Sequence, residues 1–87
     1  MAMPFGSVAP ILALPPMRSC TSSLINSYGY DAETKQLFVR FVHGMKLYRY
    51  DGFPAYLFNS MTEAVSPGKF FTQRVRNLYT GNYILEP

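Results

Sequence analysis

The chain has no tryptophan, one cysteine, one histidine and five carboxylate side chains among its 87 residues. Each shortage excludes a class of protein. Cys20 alone cannot close an intramolecular disulfide, so a small scaffold built on a disulfide framework is excluded. One histidine and one cysteine cannot supply the four ligands of a structural zinc site. Neither His43 nor Cys20 has a sequence neighbour that would complete a nucleophile and base pair. The expectation is a non-catalytic protein with no metal and no cofactor. No apolar run reaches the roughly 18 residues a membrane span requires. The first basic residue, Arg18, follows the apolar stretch 8–14 instead of preceding it, so no secretory signal is read. The expected setting is the reducing cytoplasm.

What the chain does have is rings. Seven Tyr and seven Phe make up 16% of it. Its length is that of one small domain with a limited core. Large rings suit such a core because each can bury about 150–250 Å². Eight Lys and Arg against five Asp and Glu leave a net charge of +3, a mild excess that fits a nucleic acid or an acidic protein partner.

Two regions differ in composition. Residues 1–19 form a proline-rich apolar arm, interrupted or flanked by Pro4, Pro10, Pro15 and Pro16 and therefore extended instead of helical. Its Phe5, Ile11, Leu12 and Leu14 are the expected arm contacts, made with this domain, with a partner or with a second copy in a homo-oligomer. Residues 20–87 read as a single domain.

Within that domain the hydrophobic period changes from two to between three and four. Residues 24–30 are the first expected strand, with Gly29 as a bulge or bend, and Asp31-Ala32-Glu33-Thr34 suits a turn. Over residues 36–42, Leu37, Val39 and Phe41 face one way and Phe38, Arg40 and Val42 the other. The second face is not purely polar, so some of it is expected to be covered, with the arm as a candidate. His43-Gly44 turns the chain, Gly44 tolerating a positive φ. Residues 45–50 return as a third strand with Tyr48 and Tyr50 on one face and Leu47 and Arg49 on the other. Pro54 opens a helix with Tyr56, Leu57, Met61 and Ala64 at helical spacing. Ser66 caps a second helix with Pro67 next to it. Phe70 or Phe71, Val75, Leu78 and Tyr79 give this helix a stripe, and Gly81-Asn82 ends it. Tyr83-Ile84-Leu85 adds a short strand or packs on the sheet. The expected fold is α+β: a small antiparallel β-meander of three or four strands packed against two short C-terminal helices.

Taken in order and spacing, these residues resemble a known family. Ser22-Ser23, Gly29-Tyr30-Asp31, Leu37/Val39/Phe41, Gly44, Tyr48, Tyr50, Pro54, Ala64/Ser66/Gly68, Phe70-Phe71, Arg76 and Tyr79 look like the KTSC domain, so residues 20–87 are expected to form one KTSC-like domain. This module is named for its likeness to a C-terminal extension of lysyl-tRNA synthetases. Thr72 stands where the family usually has Asn, Phe53 where it usually has Val, and the arm lies outside the pattern. The family occurs as small stand-alone proteins of bacteria and phages, so the resemblance implies a bacterium or a phage-infected bacterium. It points towards RNA by analogy only.

The candidate binding residues are basic and aromatic. Lys69, Gln73 and Arg76 fall at i, i+4 and i+7 on one helical face, with Arg74 to its side. Arg40 and Arg49 lie on neighbouring strands and share a face if the register allows. Tyr48 and Tyr50 are either core rings with hydroxyls at the rim or a platform on which bases stack. His43 reads as a solvent-facing turn residue. Ser66-Pro67-Gly68-Lys69 could meet an anion at a helix start, but it lacks the glycine spacing of a phosphate loop and a capped helix start alone accounts for it. Two functions follow. One is a non-catalytic module that docks on RNA or a nucleoprotein machine. The other is a small phage-type effector that binds and inhibits a host protein of transcription or defence through the arm and a sheet edge.

Overall fold

The alternating stretch at residues 36–42 becomes the centre of an antiparallel sheet. The computed structural model describes residues 14–86. Among these residues there are, in chain order, strand β1 (Arg18–Ser19), β2 (Ile25–Asp31), β3 (Gln36–Phe41), a 3-10 turn (His43–Met45), β4 (Leu47–Asp51), helix α1 (Ala55–Glu63), α2 (Pro67–Arg74) and strand β5 (Gly81–Ile84). The strands lie side by side in the order of the chain. The α+β meander and its two helices are as expected, and the sheet is wider. β5 is the additional C-terminal strand, and β1 falls inside the stretch read as an arm.

The connections explain the register. The Asp31 side chain accepts hydrogen bonds from the Glu33 and Thr34 amides at 3.0 and 3.3 Å, a local turn that returns β2 into β3. Gly44 has φ +70°, as a turn here demands, and the Phe41 amide donates to the Lys46 carbonyl at 2.9 Å to close the β3–β4 connection. Tyr28 then faces Val39, Val39 faces Tyr48 and Tyr48 faces Tyr83. In the next row Tyr30 faces Leu37, Leu37 faces Tyr50 and Tyr50 faces Gly81.

These rows form the side that the helices cover. Ile25, Tyr28, Leu37, Val39 and Tyr50 join Phe53, Leu57, Met61, Phe71 and Val75 in one core. In α1, Leu57 and Met61 point inward and Tyr56 outward. Pro54 sits just before the helix, not in its first turn. In α2, Ser66 caps as its sequence position suggests, its Oγ accepting from the Lys69 amide at 3.2 Å, and Pro67 occupies the first turn.

Two further sequence expectations fail for physical reasons. The second helix ends at Arg74, not at Gly81. Both the Val75 and Arg76 amides donate to the Phe71 carbonyl, so the bonding slips by one residue. The slip turns Leu78 out to solvent, while Val75 remains buried and Tyr79 packs on Phe53 with ring centroids 5.1 Å apart. Gly29, read as a bulge or bend, pairs regularly with Phe38, and the irregularity lies between Ile25 and Ser27. Gly29 is needed for space. A methyl group there would fall 2.5 Å from the Pro16 carbonyl oxygen and 2.8 Å from Met17 Sδ. The described end of the arm thus lies against the far side of the sheet, where Phe38 and Leu47 are also buried.

Candidate functional site

Where the β3–β4 turn meets the end of α2, the helix side of the sheet is left open. A cleft of about 350 Å³ forms there, lined by Leu24, Phe41, His43, Lys46, Tyr48, Tyr50, Phe71 and Arg76. Period-two alternation places Tyr48 and Tyr50 on β4, and helical spacing places Phe71 opposite them. The slipped bond after α2 carries Arg76 to the rim, and the 3-10 turn carries His43 and Lys46 to the other rim.

The floor is a run of rings. Phe41 meets Tyr48 at 5.6 Å and Phe71 at 5.3 Å, and Phe71 meets Tyr50 at 5.4 Å, all edge to face. Tyr50 is buried and Tyr48 half-buried. Burial raises the Tyr50 hydroxyl pKa to about 12; the Arg76 charge opposes that shift and Tyr48 adds to it. The Tyr50 hydroxyl is therefore protonated at neutral pH and available as a donor. Gly81 faces Tyr50 across β4 and β5. A methyl group there would lie 2.9 Å from Tyr50 Cε2 and 3.0 Å from its hydroxyl oxygen, so this glycine lets the ring lie flat along β5.

The rim is cationic. His43, Lys46 and Arg76 are exposed, and among the described residues neither Lys46 nor Arg76 has an ion-pair partner. The Arg76 guanidinium carbon lies 5.8 Å from the Phe71 ring centroid, a cation–π contact that ties the charge to the floor. The arrangement can accept a planar apolar group below and an anion above.

The other candidate residues lie elsewhere. Arg40 and Arg49 do share a face, the far side of the sheet, but both are occupied. Arg40 binds Glu86 through two contacts of 2.7 Å and donates to the Met45 carbonyl at 2.9 Å. The Arg40 hydrogen bonds to Glu86 hold its carboxyl below its ordinary range. Arg49 binds Asp51 at 2.8 and 3.1 Å. Arg74 stacks over Phe70 at 5.5 Å. Lys69 lines a second, polar cleft of about 550 Å³ with Ser22, Ser66 and Thr72. The hydroxyls of those three residues are used for structure: Ser22 accepts from the Leu24 and Ile25 amides, Ser66 caps α2, and Thr72 donates to the Gly68 carbonyl. Of the arm contacts, Leu14 is half-buried, whereas Phe5, Ile11 and Leu12, and any self-association through them, lie outside the described residues.

The structure therefore brings together Tyr48, Tyr50 and Arg76 from the sequence candidates. Sequence reasoning missed Lys46, treated His43 only as a turn, and gave Tyr83 a place in a short strand or on the sheet but not in a binding surface. Gly44 was the available signal for the first two, because a tight turn after β3 must point its flanking side chains past the end of the sheet. Cys20 donates to the Ile25 carbonyl, and burial pushes its thiol pKa up, as for a structural cysteine. No group of three metal-ligating side chains occurs among the described residues. No helix among them is long and apolar enough to cross a membrane.

Residues 21–79 match the model of the KTSC domain family. The crystal structure of a KTSC domain protein from Yersinia pestis superposes with a TM-score of 0.76 at 28% identity, covering 80% of this chain and 97% of that one. No functionally curated protein matches the sequence. The family match covers well over half of the chain, and the chain belongs to the KTSC family.

Proposed function

For this KTSC family member we propose a non-catalytic role in the cytoplasm, docking on single-stranded RNA, free or within a nucleoprotein, through the cleft between β4 and α2. The observation that carries this reading is that Lys46 and Arg76, neither with an ion-pair partner among the described residues, line one cleft with the rings of Phe41, Tyr48 and Phe71. Unpaired bases have apolar faces that stack on rings, and the phosphates joining them carry the charge that the rim lacks. Two cations meeting two phosphates contribute about −1.4 to the slope of log affinity against log salt on a single strand. Fluorescence anisotropy of a labelled oligouridylate titrated across a salt series tests this. Binding that does not weaken with salt, or no binding at all, ends the RNA reading.

A second reading, the phage-type effector acting on a host protein, draws support from β5. Among the described residues this strand pairs on one side only, and Gly81-Asn82-Tyr83-Ile84 carries neither charge nor proline, the usual protections of a sheet edge. Capture of a partner from a bacterial lysate that survives nuclease treatment supports the effector. Capture lost on nuclease treatment supports RNA.

A further inference from the structure

We infer that the base platform of this module is Tyr48 with Tyr83, not Tyr48 with Tyr50, and that its ligand is a run of at least two unpaired nucleotides. The inference rests on the RNA reading above. Spacing alone makes Tyr48 and Tyr50 the natural pair, since both project from one face of β4. The fold removes Tyr50 from that role. Its ring is 6% exposed, packed edge-on against Phe71 and closed from the β5 side by Gly81. A base could reach its hydroxyl but not its face.

Tyr83 takes its place from a different strand. It faces Tyr48 directly in the β4–β5 register, and the ring centroids lie 5.5 Å apart at an angle of 50°. Tyr83 is 54% exposed, and among the described residues its only ring contact is Tyr48. The pair therefore offers two adjoining ring surfaces, Tyr48 half-buried and Tyr83 more than half exposed. Phe41 also packs edge to face with Tyr48 at 5.6 Å. The cations stand at the Tyr48 end, where Lys46 and Arg76 line the cleft that Tyr48 shares. One nucleotide seated on Tyr48 with its phosphate at that rim leaves its neighbour over Tyr83. Tyr83 also lies beyond residues 21–79, the span that defines the family match, so half of the platform comes from the C-terminal strand.

The test is competition against a labelled oligouridylate by unlabelled uridine monophosphate and by a uridine tetranucleotide, with wild type, Tyr83→Thr and Tyr48→Ala. Threonine keeps the strand preference of β5 while removing the ring. Stacking on one aromatic ring is worth roughly tenfold in affinity. Tyr83→Thr should weaken the tetranucleotide about tenfold and leave the monophosphate within about twofold, whereas Tyr48→Ala should weaken both. A Tyr83→Thr protein that binds the tetranucleotide like wild type overturns the platform while the RNA reading stands. Equal loss for both ligands overturns it too, since it indicates a single-nucleotide pocket. If wild type binds no oligouridylate, both readings fall; if polyglutamate displaces the oligouridylate as well as the tetranucleotide does, both readings fall and the cleft is assigned to acidic peptide.

Discussion

The two faces of the sheet carry similar side chains to different ends. On the far side, Arg40 and Arg49 stand near the buried rings and aliphatic groups of Phe38 and Leu47, but Glu86 and Asp51 neutralise them within hydrogen-bond distance. On the helix side, Lys46 and Arg76 flank Phe41, Tyr48 and Phe71, and among the described residues neither has an ion-pair partner. The lesson is that positive charge in a sequence is not positive charge available to a ligand. The net charge of +3 is spread over eight cations, and it is the local pairing that decides which of them can bind. An exposed pair adds only about 0–1 kcal/mol to stability, yet it removes an arginine from the binding surface.

The largest expected effect separates core from surface on the helix side. Tyr50→Ala should cost about 3–5 kcal/mol of unfolding free energy, read from urea denaturation. A loss below about 1 kcal/mol would mean the ring is exposed and would erase the contrast with Tyr83. The same ring gives an alkaline signature. Its folded pKa of about 12 lies above the unfolded value near 10. Its contribution is therefore fully present below about pH 10 and is lost as pH rises towards 12. Ultraviolet titration of tyrosinate, compared between wild type and Tyr50→Phe, should show Tyr50 ionising late and together with unfolding. Ionisation of every tyrosine near pH 10 in the folded protein would contradict it.

Next in size is Gly81→Ala, which forces a methyl group onto the Tyr50 ring. Overpacking of this kind costs about 1–3 kcal/mol, and thermal unfolding should show it. A neutral result would mean that β5 does not lie against Tyr50, and the Tyr48–Tyr83 register would fall with it.

The smallest effect belongs to the far side. The Glu86 carboxyl is lowered in the folded protein, so the stability it adds is present above its unfolded pKa and is lost as pH falls through the lowered folded value. Both partners are partly exposed, which limits the gain to about 1 kcal/mol. Glu86→Gln should match wild type in acid and be slightly less stable at neutral pH. An equal difference at all pH values would mean that the ion pair is not formed.

Much of this architecture is legible in the sequence because it is local. Asp31 announces its own turn, Ser66 and Pro67 mark a helix start by short-range hydrogen bonding and fixed φ, and alternation at Leu37, Val39 and Phe41 finds the central strand. What is illegible is long-range or subtle. Arg40 and Glu86 are 46 residues apart, and no pattern announces that they meet. The Tyr48–Tyr83 pairing depends on a register set by β5, whose four residues carry no alternation of their own. The end of α2 depends on one slipped hydrogen bond at Arg76, and that slip both exposes Leu78 and delivers the cation to the cleft. β1 is two residues long and held by pairing with β2, too short to show a period.

The most direct measurement is the salt dependence of oligouridylate binding by wild type, Arg76→Ala and Arg40→Ala in parallel. The expected result is a slope shallower by about 0.7 for Arg76→Ala and unchanged for Arg40→Ala. A shallower slope for Arg40→Ala with none for Arg76→Ala would place the binding surface on the opposite face and contradict the assignment.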